Sequence, residues 1–179
     1  MQYRDRAAQL PGSATGQAVI SAIYEHFKED PCGFERCAAQ LWQMLSTDSV
    51  TAWEITRPSR DGGRDAVGRY TIGPRSDPIH IDFALEAKCL SLGAGAGVKA
   101  TSRLISRLRH RQFGVFVTTS FVHLQAYKEL RDDGHPVVVL CARDIVEILR
   151  RHGISTAAAT KAWLLREFPK STDRAAGAG

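Results

Sequence analysis

The stretch Asp61–Lys88, DGGRDAVGRYTIGPRSDPIHIDFALEAK, combines acidic residues and a lysine at spacings that can do chemistry. Two alternating runs, Ala66–Ile72 and Ile79–Leu90, flank GPRSDP, whose Gly, Pro, Ser and Asp mark a turn, so the pair reads as an antiparallel hairpin. Centred between Arg75 and Ser76, paired residue numbers sum to about 151, which sets Asp65 opposite Glu86. Side chains alternate along a strand. Ile81, Phe83 and Leu85 then point into a core, while Asp82, Ala84, Glu86 and Lys88 share the other face. Asp65, Glu86 and Lys88 therefore converge at one end of the hairpin.

Two carboxylates on neighbouring strands suit a hard cation such as Mg²⁺, which takes oxygen ligands and keeps several waters. A lysine beside them can orient or help deprotonate a water while the cation neutralises a phosphate in transit, so a phosphodiester is the natural substrate. The same pattern also decorates ordinary solvated strand faces. Chemistry is favoured by Gly62–Gly63, which permit close backbone approach, by the apolar alternation that anchors the hairpin, and by the position of the charges at a strand end. Asp61 competes with Asp65 as the first carboxylate but falls in the turn. Asp82 lies ~13 Å along the strand from Glu86 and reads as a solvent-side charge.

The flanking sequence supplies elements to hold this hairpin. Helical periodicity covers Ser13–Phe27 and Gly33–Leu45, the second with Phe34, Cys37, Ala38, Leu41, Trp42 and Leu45 along one stripe. A turn at Thr47–Ser49 leads to a strand over Val50–Arg57. After the hairpin, GAGAG (Gly93–Gly97) opens a basic helix expected to run Val98–Arg111. Strand Phe113–Thr118, helix Val122–Asp132, strand Val137–Cys141 and helices Ala142–Arg151 and Thr156–Phe168 follow. A helix pair, a meander and then strand–helix–strand–helix predict one central mixed β-sheet flanked by helices, an α/β sandwich. One domain over residues 1–170 is expected, with a frayed tail at 171–179.

In the basic segment, Lys99, Arg103 and Arg107 fall at i, i+4 and i+8, with Arg109 and Arg111 beyond. Such a stripe is usually a solvated helix face, but after a candidate site strand it is placed for DNA phosphate contacts. GAGAG lacks the G-K-[ST] of a nucleotide loop. Thr118–Thr119–Ser120 reads first as a helix N-cap. The 24 Lys and Arg against 19 Asp and Glu give a net charge of +5, a mild hint of a polyanionic partner. No apolar run approaches the ~18 residues of a membrane span, and MQYRDR is no signal peptide. Cys32, Cys37, Cys89 and Cys141 lack the two tight arms of a zinc site. These features predict a soluble, cytoplasmic chain with reduced thiols.

FERCAAQLW, DGGRDAVGRY, IDFALEAKC and FGVFVTTS, in that order, resemble the Mrr-like branch of the PD-(D/E)xK nucleases found in restriction endonuclease cleavage domains. The resemblance spans about Phe34 to Leu149. It implies a restriction-endonuclease-like sandwich and a Mg²⁺- (or Mn²⁺-) dependent endodeoxyribonuclease. The metal would sit on Asp65, Glu86 and the Ala87 backbone carbonyl, with Lys88 serving the water. Glu35 of FER matches an acidic position near the metal in the first core helix, although a carboxylate near a helix start is also worth ~0.3–1 kcal/mol through the dipole. The Thr118–Ser120 run would lie at the rim of the cleft. Implied partners are double-stranded DNA and a second copy of the chain, one site per strand, in a type II or modification-dependent restriction system. A Holliday-junction or repair nuclease shares the chemistry, and a non-catalytic DNA-binding module shares the fold. A single domain of this length leaves little room for a separate reader of sequence.

Overall fold

Two long helices begin where a side chain closes their first turn. Ser13 Oγ accepts the Gly16 N–H at 3.1 Å to start α2 (Ala14–Phe27). Asp30 accepts the Gly33 N–H at 2.9 Å to start α3 (Pro31–Ser46), whose Pro31 occupies a first-turn position where a missing N–H is harmless. The structure is a computed structural model and describes residues 3–56, 65–110 and 112–170. Asp61, Gly62–Gly63, Arg111 and the tail at 171–179 lie outside the described residues.

After a 3₁₀ turn at Thr47–Ser49, β1 (Val50–Ile55), β2 (Ala66–Ile72) and β3 (Ile79–Lys88) form an antiparallel meander. The chain then crosses through α4 (Val98–Ile105) to β4 (Gln112–Thr118) and through α5 (Leu124–Asp132) to β5 (Val137–Leu140), both parallel to β3. The strands form one five-stranded sheet in the order β1-β2-β3-β4-β5. α6 (Ala142–Arg151) and α7 (Ala157–Glu167) finish the fold, and a short α1 (Arg6–Gln9) precedes α2.

The core divides along the sheet. On one face Phe34, Cys37, Leu41 and Trp42 of α3, with residues of α2, α6 and α7, pack on Phe83, Leu85, Val115 and Val117. On the other, Leu104 of α4 and Ala126, Tyr127 and Leu130 of α5 pack on Ala84, Phe116, Val137 and Val139. β4 is thus buried on both sides, as parallel strands usually are. The expected mixed sheet flanked by helices is the fold observed. No helix among the described residues is long and apolar enough to cross a membrane.

The hairpin register matches the expectation: Ala66 pairs with Leu85 and Ile72 with Ile79, each pair summing to 151. Gly73 opens its turn at φ 102°, a conformation that side chains with a β-carbon resist. Most element bounds shift by one or two residues from the periodicity, and three differences have a clear physical reason. α4 stops at Ile105 instead of Arg111, because Arg107 N–H and Leu108 N–H bond back three residues to Leu104 and Ile105, tightening the last turn, and Gln112 already starts β4. α5 starts at Leu124 instead of Val122, because Val122 is taken by a parallel bridge to Ala96 and by the Gln9 side-chain amide, which bonds both its N–H (2.9 Å) and C=O (3.0 Å). α1 has four residues, too few to show a period.

β2 packs so tightly that a β-carbon on Gly68 would stand 2.5 Å from the Ala52 carbonyl oxygen and 2.5 Å from the Phe83 ring. Gly68→Ala is expected to destabilise the fold by about 1–3 kcal/mol through overpacking. Urea unfolding checks this as a lower midpoint at unchanged slope.

Candidate active site

Glu86 occupies a position on β3 that strand alternation directs to the α4 face, and its side chain is 0% exposed. Burying a carboxylate costs several kcal/mol unless countercharge and hydrogen bonds return it. Countercharge is supplied. Lys88 Nζ stands 2.7 Å from Glu86 Oε1, Arg103 Nε 3.6 Å from the same oxygen, and Arg107 Nη1 3.7 Å from Oε2. Directed hydrogen bonds are not: among the described residues neither Glu86 oxygen has one, the lysine being close but poorly aligned. Burial raises the Glu86 pKa and the neighbouring Asp65 adds to this, while Lys88 and Arg103 oppose it.

Asp65, just before β2, is 7% exposed. Its backbone N–H donates to Leu85 and its carbonyl accepts from Thr56, which fixes it where β1, β2 and β3 meet. Its Oδ2 accepts the Ala87 N–H at 2.7 Å. Burial raises its pKa, against the pull of that hydrogen bond, Lys88, Arg103 and Arg107.

Glu35 projects from α3 and is half-buried. No acidic residue lies in the first turn of α3, so Glu35 is not a dipole carboxylate. Burial and then the negative charge of Asp65 push its pKa up to about 7, with Glu86 adding and Lys88 and Arg103 opposing. Glu35, Asp65, Glu86 and Lys88 thus form one electrostatic unit built from α3 and the hairpin.

The basic residues divide. Lys99 on α4 and Arg109 in the turn after it are exposed. Arg103, also exposed, continues the expected stripe from Lys99 along α4 but reaches the Glu86 carboxylate as well, whereas Arg107 lies past the helix end at Ile105 and is half-buried beside Glu86. Asp82 is exposed and pairs loosely with Arg69 at 3.8 Å, the solvent-side charge expected of it.

Thr118–Thr119–Ser120 is not an N-cap, since the cap of α5 is His123, three residues past Ser120, and the helix begins at Leu124. It joins the ends of two strands. Thr118 pairs with Lys88, and the Thr119 N–H donates to the Lys88 carbonyl at 3.3 Å. Thr119 Oγ1 accepts the Leu90 N–H at 2.7 Å and donates to the Leu90 carbonyl at 2.6 Å. The backbone on the exit side of Lys88 is therefore clamped. Two hydroxyl residues after an apolar strand were the only local signal of this, and that signal equally fits a cap.

No group of three or more His, Cys, Asp or Glu side chains among the described residues is set to hold a metal by itself. The donors nevertheless fit a hard divalent cation: Glu86 holds two buried oxygens without a directed hydrogen bond, and Asp65 is bound to the backbone beside them.

A mixed sheet carrying two carboxylates and a lysine at the end of its central hairpin is the arrangement that a metal-assisted phosphodiester hydrolase would need. Residues 28–149 match the Mrr-type catalytic-domain model described as a restriction endonuclease. The chain belongs to that family, of PD-(D/E)xK type, whose members are endodeoxyribonucleases that generally use a divalent metal. Among solved structures it is similar to the DNA modification-dependent restriction endonuclease AspBHI, with 50% identity and a TM-score of 0.85 over 91% of this chain and 42% of that one. Its fold is also that of the MspJI restriction endonuclease, solved in complex with a 27-mer oligonucleotide, at 24% identity and a TM-score of 0.79 over 94% of this chain and 39% of that one. The chain thus spans less than half the length of either. No curated protein matches it.

The raised carboxyls make stability depend on pH in a definite direction. A folded protein whose acids have raised pKa values holds more protons than its unfolded chain, so stability falls as pH rises through that window. For Glu35 the window runs from 4.5 to about 7. In chelator, the melting temperature is expected to fall across it, and Glu35→Gln to flatten the fall. An equal slope in the variant would contradict the assignment.

Proposed function

We propose that this chain is a Mg²⁺-dependent DNA endonuclease domain, able to use Mn²⁺ in its place, that cleaves DNA within a modification-dependent restriction enzyme. The observation that carries this is Glu86, a fully buried carboxylate with no directed hydrogen bond, next to Lys88 and Asp65. Stability alone does not favour such a group, because replacing buried charge by apolar side chains is often neutral or stabilising.

In this reading Asp65, Glu86 and the Ala87 carbonyl hold the cation. Bound there, it supplies positive charge against the phosphate oxygens as the water attacks. Lys88 has three N–H donors and none is committed to a directed hydrogen bond with Glu86, 2.7 Å away, which leaves donors to orient the water. Glu35, whose pKa is pushed up to about 7 in the metal-free site, would be held ionised by a bound cation and so add negative charge beside it. The exposed Lys99 and Arg109 contact DNA phosphates outside the site, and the sequence extends the same role to Arg111, which lies outside the described residues. Two copies, one per strand, produce the double-strand break. Dependence on DNA modification is carried over from AspBHI, half identical to this chain across most of its length.

Methylated and unmethylated plasmids incubated side by side test the reading. Mg²⁺ is expected to support linearisation of modified DNA, and chelator to stop it. Lys88→Ala should slow cleavage by about 10²–10⁴-fold, the usual contribution of a group handling the reacting proton. Full activity in Lys88→Ala or Asp65→Ala protein would overturn the proposal. Binding without cleavage of any substrate, unchanged by Glu86→Ala, would make the chain a non-catalytic module, and preference for branched DNA would make it a junction nuclease. Lys99→Ala should lower the slope of log affinity against log salt by about 0.9, the value of one phosphate contact.

A further inference from the structure

Glu86 is surrounded by more positive charge than one carboxylate needs. Lys88 at 2.7 Å is its close partner, and two arginines at 3.6 and 3.7 Å add to it. Both arginine contacts lie beyond hydrogen-bond length, so towards Glu86 they act through charge alone. The two come from α4 and the turn after it, not from the strand that carries Glu86. Arg103 keeps 43% of its side chain exposed and Arg107 23%, while the carboxylate beside both is fully buried. Arg107 also lies past the helix end, in a turn of three-residue hydrogen bonds that constrains it less than a helix would.

We propose that Arg103 and Arg107 are exchange counter-ions: they neutralise Glu86 in the metal-free site, and give it up to the cation as they turn to the phosphate oxygens of incoming DNA. This deepens the nuclease reading above and rests on it. Charge favours the exchange. Among the described residues, Glu35, Asp65 and Glu86 contribute at most three negative charges to the cluster, and Lys88, Arg103 and Arg107 contribute three positive ones. A dication entering there meets two guanidinium groups already beside its ligand. A phosphodiester restores negative charge at the same place and gives those groups a new partner. Cation and DNA therefore favour each other's binding, and by linkage the coupling is the same whichever binds first. The site loads its metal best when substrate is present.

The test is calorimetric titration of the full chain with Mn²⁺ in the absence of DNA, beside single-turnover cleavage of modified plasmid at saturating Mn²⁺. Arg103→Gln and Arg107→Gln are expected to bind Mn²⁺ about 5- to 10-fold more tightly than the wild type, the lower part of the usual range of coupling between sites. The same variants should cleave at least about 10-fold more slowly, consistent with the loss of one charged contact in the transition state. Arg103→Lys, which keeps the charge, should retain wild-type Mn²⁺ affinity. A role in holding the site together predicts weaker Mn²⁺ binding in both glutamine variants, and a role in DNA attraction alone predicts unchanged binding. Either result would overturn the proposal, as would unchanged cleavage or a wild type that binds no Mn²⁺. Should Arg107→Gln fail to fold, the more exposed Arg103→Gln decides the matter. The nuclease reading fails separately: Mn²⁺ binding that Glu86→Gln abolishes, with no cleavage of any DNA, refutes that reading while the tightening in the arginine variants is still measured.

Discussion

Removing one carboxylate from water sets the terms for everything around it. β3 alternates Phe83 and Leu85 into one half of the core and Ala84 and Glu86 towards the other, where α4 covers the strand. An apolar residue at 86 would have completed that second half. With a glutamate there, the fold must provide positive charge, and it does so three times. The absence of directed hydrogen bonds to the two oxygens keeps them available to a stronger ligand. Among the described residues, Glu86 is the one charged side chain that is fully buried and not hydrogen-bonded.

The remaining geometry follows from holding Glu86 and Lys88 still. Asp65 enters through the hairpin register, and the Ala87 N–H, midway between the two site residues, anchors its carboxylate. Lys88 is the last residue of its strand, where a chain would ordinarily fray. Pairing with Thr118 and the Thr119 clamp on Leu90 extend the rigid region past it. Thr119 in turn is fixed from behind, since the Ser120 carbonyl accepts from Ala142 at the start of α6 and Gln9 bonds the backbone of Val122. Backbone hydrogen bonds thus locate the site at the junction of a meander with a parallel unit, and side-chain charge fills it.

This origin explains which parts were legible in the sequence. The meander, its register and the meeting of Asp65, Glu86 and Lys88 follow from a turn centre and a two-residue period, both local properties. The two long helices follow from their apolar stripes. Glu35 was legible only through the family resemblance, because nothing in the spacing of α3 ties position 35 to a strand that begins at residue 66. The roles of Arg103 and Arg107 were hidden for the same reason. Their i, i+4 spacing is that of a solvated face, and it cannot show that both reach a buried carboxylate on another element. The role of Thr119 is not local, because a hydroxyl can satisfy backbone groups either of a helix start or of a neighbouring loop, and the choice depends on where the next strand end lies.

The modest net charge of +5 takes on a different meaning once these charges are placed. A nuclease domain needs positive potential for its substrate and negative charge for its metal, within one cleft. Were all five cations between Lys99 and Arg111 permanently solvated, the carboxylates would stand unscreened in a buried site and would protonate instead of binding metal. Were all of them committed to the carboxylates, long-range attraction for DNA would be lost. The observed division leaves Lys99 and Arg109 facing solvent and sets Arg103 and Arg107 against Glu86. Two needs of opposite sign are thereby met by one short helix and the turn that ends it, which is a physical reason for α4 to stop where it does.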